Sequence, residues 1–317
     1  MGKHRASERM LAFSVFTHFI NIYTLINWFT LAVLASIIAA TRKGYEKDLT
    51  KVFGDFGMGF IIKLFSILPL LALCLYAPIP KDILHLPWAF WWPLLVIWAV
   101  LYPIQTLLYY RAMREGELSH VMPIVCVWPV LNAITSLFIG ETPSFTGWVG
   151  MVCITIGTIL LIMHKHESEE KEKKFRRAAL NMLAATCCFA VGSSLDKVAM
   201  NSVKNSSTFY TLINSLGATL VFIILIPLFK EKYHFNEIRS RFWGLTVIGI
   251  LFAISFALAM AAFSMGPTSY SLSVRSIIGL LIPAAIGVHK FDEKITTAKK
   301  VAFSLFIAGI VLMTVIH

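Results

Sequence analysis

Two basic residues, Lys63 and Arg275, stand inside stretches that are otherwise apolar, in FIIKLFSILPLL and SYSLSVRSIIGLL. A charge placed in hydrocarbon costs about 2.5 to 3.5 kcal/mol on insertion scales, so an intramembrane charge marks function by default. An acidic group on a solute would compensate it, and a guanidinium offers the bidentate geometry for a carboxylate or phosphate. The chemistry indicated is recognition of an anionic or zwitterionic solute, amino acids and their relatives first, with Arg275 on the acidic group. Asp196, the one acid set among these spans, could offset one cation. The structural alternatives are snorkelling or a helix–helix hydrogen bond for Arg275, and an interfacial ion pair between Asp196 and the adjoining Lys197.

Lys63 has Asn214 at the matching place of the second half, a cation facing an amide as a pocket between two repeats would have it. A second group lies in ELSHVMPIVCVWPVLNAITSLF, where Pro123 and Pro129 each remove a backbone donor and loosen the helix. Freed carbonyls are tolerated at membrane depth only against protein or a water-filled cavity, so Ser119, His120, Trp128 and Asn132 on this stretch become candidates. Pro283 is expected to interrupt the later, matching stretch.

The elements that must position these residues are membrane spans. Apolar residues make up 57% of the chain and charged residues 14%, with a mean hydropathy of +0.75, against about a quarter charged in soluble domains. Stretches of about 20 residues able to cross a ~30 Å hydrocarbon layer fall near 22–41, 56–77, 88–110, 119–139, 146–163, 178–199, 209–229, 242–263, 270–289 and 301–316. They lack the alternation of an outer-membrane barrel, so the expected fold is an all-α integral membrane protein of ten transmembrane helices. The five cysteines lie inside spans without metal-ligand spacing and read as packing residues.

The chain also repeats itself at a distance of 150 to 154 residues: Gly116 with Gly266, Glu141 with Glu293, Gly157 with Gly309, Lys43 with Lys197. Such a period implies two whole halves, and an odd number of spans in each makes them inverted repeats. The expected organisation is an N-terminal extension over 1–21 with an interfacial helix, a first five-helix repeat over 22–163, a charged linker over 164–177 (HKHESEEKEKKFRR) and a second five-helix repeat over 178–317. Glu141 and Glu293, at span ends, are expected to make helix-terminus or loop contacts.

Lys and Arg outside the spans number five on the side of the termini and twenty on the side of the linker. The positive-inside rule then puts the linker in the cytoplasm and both termini outside. The formal net charge of +11 is explained as a cytoplasmic-face excess against anionic lipid, without nucleic acid.

REGELSHVMPIVCVWPVLNAITSLFIGETPSFTGWVGMVCITIGTILL, closing the first half, and SMGPTSYSLSVRSIIGLLIPAAIGVHKFDEKITTAKKVAFSLFIAGIVLM, closing the second, resemble the drug/metabolite transporter superfamily, in particular its EamA-type branch. GSSLDKVAM at 192–200 is similar to the family's first-span ending. The resemblance implies that the third, fourth, eighth and ninth spans line a central cavity, which brings Gln105, Tyr109 and Tyr110 into consideration. It also implies both termini in the cytoplasm, against the Lys/Arg count, and the two topologies stay open. The substrate-binding candidates are therefore Lys63, Gln105, Tyr109, Trp128, Asn132, Asn214 and Arg275, with His120 and Asp196 as coupling or gating candidates and no metal or cofactor site.

No phosphate loop, nucleophile elbow, zinc-type spacing or pair of carboxylates in one span argues for an enzyme. The expected function is a secondary active transporter, working by alternating access on a small polar or amphipathic metabolite in the plasma membrane, the inner membrane of a bacterium. Its expected partners are the small-molecule solute, membrane lipids and a coupling ion or proton, with a homodimer left open. The alternative is a non-transporting receptor or assembly partner that retains the transporter fold.

Overall fold

A computed structural model describes residues 27–49, 52–77, 79–116, 122–162, 169–203, 206–291 and 297–314. The first half holds α1 (Trp28–Leu49), α2 (Asp55–Cys74), and α3 (Trp88–Val96) joined through a π-helical turn (Ile97–Leu101) to α4 (Tyr102–Glu115). A 3-10 helix (Met122–Val127) leads into α5 (Trp128–Ser136), followed by α6 (Phe145–Ile162). The second half holds α7 (Glu169–Asn201), α8 (Ser207–Leu228), the short α9 (Phe235–Ser240), α10 (Phe242–Met265), α11 (Thr268–Phe291) and α12 (Thr297–Thr314). No strand occurs among the described residues. The N-terminal extension, Ser119, His120 and Glu293 lie outside them.

Five helical segments are long and apolar enough to cross a membrane: Asp55–Cys74, Trp88–Glu115, Arg176–Asn201, Ser207–Leu228 and Phe242–Met265. Shorter apolar stretches run over Ile124–Ile139, Phe145–Leu160 and Lys300–Gly309. The chain is a multi-pass membrane protein.

The helices depart from the apolar spans in instructive places. Helix α1 continues to Leu49 through RKGYEKDL, because these polar residues include strong helix formers and no proline, although their hydropathy ends the span. Helix α7 begins at Glu169, within the stretch read as a linker, since EEKEKKFRR puts acids in the first turn, as the helix dipole favours, and continues in strong helix formers. The backbone of α11 runs through Pro283 without the expected interruption. In the third span the amide of Tyr102 reaches back five residues to Ile97 O, just before Pro103, which has no N–H to donate. Such a π bulge often accompanies a functional site, and here it presents Tyr102.

Packing joins the halves throughout. Helix α2 lies on α8 and α10, α1 on α10 and α11, α7 on α4 and α5, α5 on α11, and α6 on α12. The α6–α12 seam gives the repeated glycines their reason. A Cβ on Gly309 would stand 2.7 Å from Gly150 O, and one on Gly157 would stand 2.8 Å from the Phe306 ring. Helices in lipid associate through such small-residue contacts, because no hydrophobic drive separates helix from lipid.

Candidate functional site

Lys63 sits mid-helix on α2 and is 8% exposed. Its ammonium donates to Tyr102 OH at 2.9 Å and to Asn214 Oδ1 at 3.4 Å, so the residue paired with it by the repeat is its partner in space. The rings of Tyr102, Phe252 and Phe256 surround it at 4.7, 4.8 and 4.7 Å from their centroids, a cation–π setting in which a buried cation is held without a carboxylate. The hydrogen bonds continue: Tyr102 OH donates to Asn214 Oδ1, Asn214 Nδ2 to Tyr210 OH at 3.3 Å, and Tyr210 OH to Asp196. One chain thus runs from Lys63 on α2 through α4 and α8 to Asp196 on α7.

Lys63 and Asp196 both line a cavity of about 220 Å³ between the halves, together with Arg275. Gln105, Tyr109 and Trp128 from the expected set line it as well. The Arg275 guanidinium lies 5.8 Å from the Trp128 ring centroid, and Trp128 and Tyr109 each pack against Phe189 at 5.3 and 5.7 Å. Asn214 stands one layer behind the lining, acting through Lys63 and Tyr102. Asn132 is fully buried away from the cavity. Its amide donates to Ala190 O and Ser194 Oγ at 3.1 Å each, tying α5 to α7.

The Asp196–Lys197 pair is replaced by two separate engagements. Consecutive residues on a helix point about 100° apart, so Asp196 turns to Tyr210 while Lys197 pairs with Glu141 and donates to Gly266 O at 2.7 Å. Glu141 also accepts from Thr268 Oγ1 at 2.7 Å and Thr268 N at 3.3 Å, satisfying the start of α11. This latch joins the ends of α5 and α7 to the start of α11. A second latch closes the other end of the bundle, where Asp55 pairs with Arg114 at 2.8 Å and Glu231 accepts from Phe56 N and Gly57 N at 3.2 and 3.0 Å.

Arg42, Lys43 and Glu46 also line the cavity, residues that the apolar pattern assigns to a loop. Arg42 is 8% exposed and Glu46 1%. Their spacing of four residues, continuing the α1 helix past its apolar part, was the available signal, since i and i+4 share a helix face. Removing Arg42 and Lys43 from the loop count leaves eighteen basic residues against five, so the charge asymmetry survives. No group of three or more His, Cys, Asp or Glu side chains able to hold a metal occurs among the described residues.

Residues 26–163 match the EamA-like transporter family. A crystal structure of a protein superposes on 92% of this chain and 97% of its own with a TM-score of 0.69 at 15% identity, a likeness of fold alone. An uncharacterized protein of Methanocaldococcus jannaschii is 40% identical over 67 residues, 21% of this chain. The match spans about half, 49%, of that relative's length. The matched segment is similar to the family that the sequence resembles. Members of that family are membrane transporters.

The Glu141 latch has a direct test. Glu141→Ala leaves the Lys197 ammonium with Gly266 O alone and strands two Thr268 donors, so it should lower stability by roughly 2–3 kcal/mol, with Lys197→Ala far less damaging on that background than alone. Unfolding in mixed micelles with rising dodecyl sulfate measures both. A loss below about 0.5 kcal/mol, typical of an exposed pair, would show that the latch does not hold the bundle.

Proposed function

We propose that this protein is a secondary active transporter that carries a small anionic or zwitterionic metabolite through the cavity between its two halves. The observation that carries the reading is the cavity itself, lined among the described residues by Arg42, Lys43, Lys63 and Arg275 against only Glu46 and Asp196. Basic side chains in excess within a bundle are stabilised when an acidic solute joins them. The cavity volume of about 220 Å³ lies below the roughly 300–1,000 Å³ of drug-sized pockets, which favours a small metabolite.

Alternating access between ten spans arranged as two inverted five-helix repeats fits the packing. Exchange of the halves turns α1 on α10 into α7 on the α3–α4 helix, and α1 on α11 into α7 on α5, and both members of each pair occur. The contacts α2–α8, α5–α11 and α6–α12 map onto themselves. Two latches at opposite ends of the bundle are where alternate gates belong. A proton or ion would couple through Asp196 or through His120, which lies outside the described residues. A homodimer is compatible with this reading, and so is residence in the plasma membrane, the inner membrane if the source is bacterial. The Lys/Arg asymmetry supports a cytoplasmic linker and external termini. A receptor that merely retains the fold has no use for a charged, solute-sized cavity.

A solute that raises the thermal stability of the purified protein should also exchange across proteoliposomes. Arg275→Gln should abolish that stabilisation while the protein stays folded in detergent. Persistence of binding in this variant, or a ligand set made only of lipophilic cations, would overturn the assignment. For topology, Ser168→Cys on a background without native cysteines should resist an impermeant thiol reagent in intact cells and react after lysis. Reaction in intact cells would put the linker outside and the termini in the cytoplasm.

A further inference from the structure

Eight buried side-chain atoms in the described residues have no hydrogen-bond partner, and five of them belong to residues that line this one cavity. They are Nε and Nη1 of Arg42, Oε1 of Glu46, Nε1 of Trp128 and Oγ of Ser276. The remaining three sit on Trp98, Ser215 and Ser271, outside the lining. Buried polar atoms are ordinarily satisfied, so this concentration has a cause.

The chemistry of the five atoms is one-sided. Arg42 and the Trp128 indole can only donate, and the Ser276 hydroxyl can donate. Glu46 is the lone acceptor, and it faces Arg42 Nε at 3.2 Å as an ion pair without the alignment of a hydrogen bond. One face of the Arg42 guanidinium rests on the Phe252 ring, 4.7 Å from its centroid, which holds the group in place while Nη1 is left without a partner. Arg275 is engaged differently, over Trp128.

Charge gives a second constraint. The cavity carries the cations Arg42, Lys43, Lys63 and Arg275 against the carboxylates of Glu46 and Asp196. A solute of net negative charge reduces this excess. A zwitterion brings no net charge, and a cation worsens the imbalance.

From these observations we infer that Arg42, with the Trp128 N–H and the Ser276 hydroxyl, forms a carboxylate subsite, and that the solute is a small carboxylate of net negative charge with a short apolar body. The rings of Tyr109, Trp128 and Phe189 receive that body. Arg42 takes the carboxylate as a fork, which lysine cannot reproduce. Arg275 balances Asp196 and contributes field to the acidic group. This subsite rests on the transporter reading and sharpens it from an acidic or zwitterionic solute to a net-negative carboxylate.

The test uses the full-length protein in detergent and three probes with the same four-carbon skeleton: butanoate, butanamide and 2-aminobutanoate. Thermal stabilisation and calorimetry should rank butanoate well above 2-aminobutanoate, with butanamide inactive. Trp128→Phe keeps the ring and removes only the N–H, so it should weaken butanoate about tenfold, as losing a hydrogen bond to a charged group does. Arg42→Lys should weaken it at least as much, and Arg42→Gln should remove binding. Should Arg42→Gln not fold, Trp128→Phe and Arg42→Lys decide. Equal stabilisation by acid and amide, preference for the zwitterion, no binding of any probe, or unchanged affinity in both conservative variants would overturn the subsite. Proteoliposome exchange of other solutes separates the two readings: if it persists while the probes fail, transport stands and the carboxylate subsite falls.

Discussion

A lysine ammonium enclosed in an apolar bundle must find acceptors, and Lys63 finds its acceptors in both halves of the chain: Tyr102 in the first and Asn214 in the second. The free energy of one cation therefore depends on how the two halves sit against each other. Unpaired, it is expensive in low dielectric, and three aromatic rings with two neutral oxygens only partly replace water. The remainder of the design follows from this constraint. Tyr102 is brought into place just after the π bulge, Tyr210 passes the hydrogen bonds on to Asp196, and the opposite charge arrives at the far end of the chain of bonds and not in contact. A cation so held stays responsive to whatever enters the cavity beside it.

The latches resolve the opposite problem, which is to keep helices together where charge is plentiful. At one end Glu141 satisfies Lys197 and the start of α11 at once; at the other Glu231 satisfies the start of α2 beside the Asp55–Arg114 pair. Both use a carboxylate at a helix N-terminus, where the dipole and the free amides favour it. Each latch ties helices from different halves, so relative movement of the halves must break one or the other. Between the latches, the seam of α6 and α12 packs glycine against backbone, a contact with no polar group to exchange.

Spacing in the sequence reveals matched positions more readily than the cavity. Lys63 with Asn214, and Gly157 with Gly309, could be matched from spacing alone; the first pair meets in space, and the second lies on the seam of α6 and α12. The resemblance to EamA-type transporters was legible too, since order and repetition survive where single motifs are weak. Arg42, Lys43 and Glu46 were hidden because hydropathy ends where polar residues begin, whereas the α1 helix does not. Asn132 looked like a site residue because an amide in an apolar stretch must bond to something, and nothing in the sequence tells a solute from the Ala190 carbonyl. Asp196 and Lys197 misled for a geometric reason: neighbours in sequence diverge on a helix, and each found its partner on another element.

An experimental map of the protein with a solute bound, obtained by electron cryomicroscopy in a lipid nanodisc, tests most directly whether the cavity between the halves is where transport happens. Density is expected beside Lys63 and Arg275, in contact with residues of both halves, with the Lys63–Asn214 distance altered from 3.4 Å. Density confined to the lipid-facing groove between Leu68 and Ile250, with the Lys63 bonds unchanged, would contradict it.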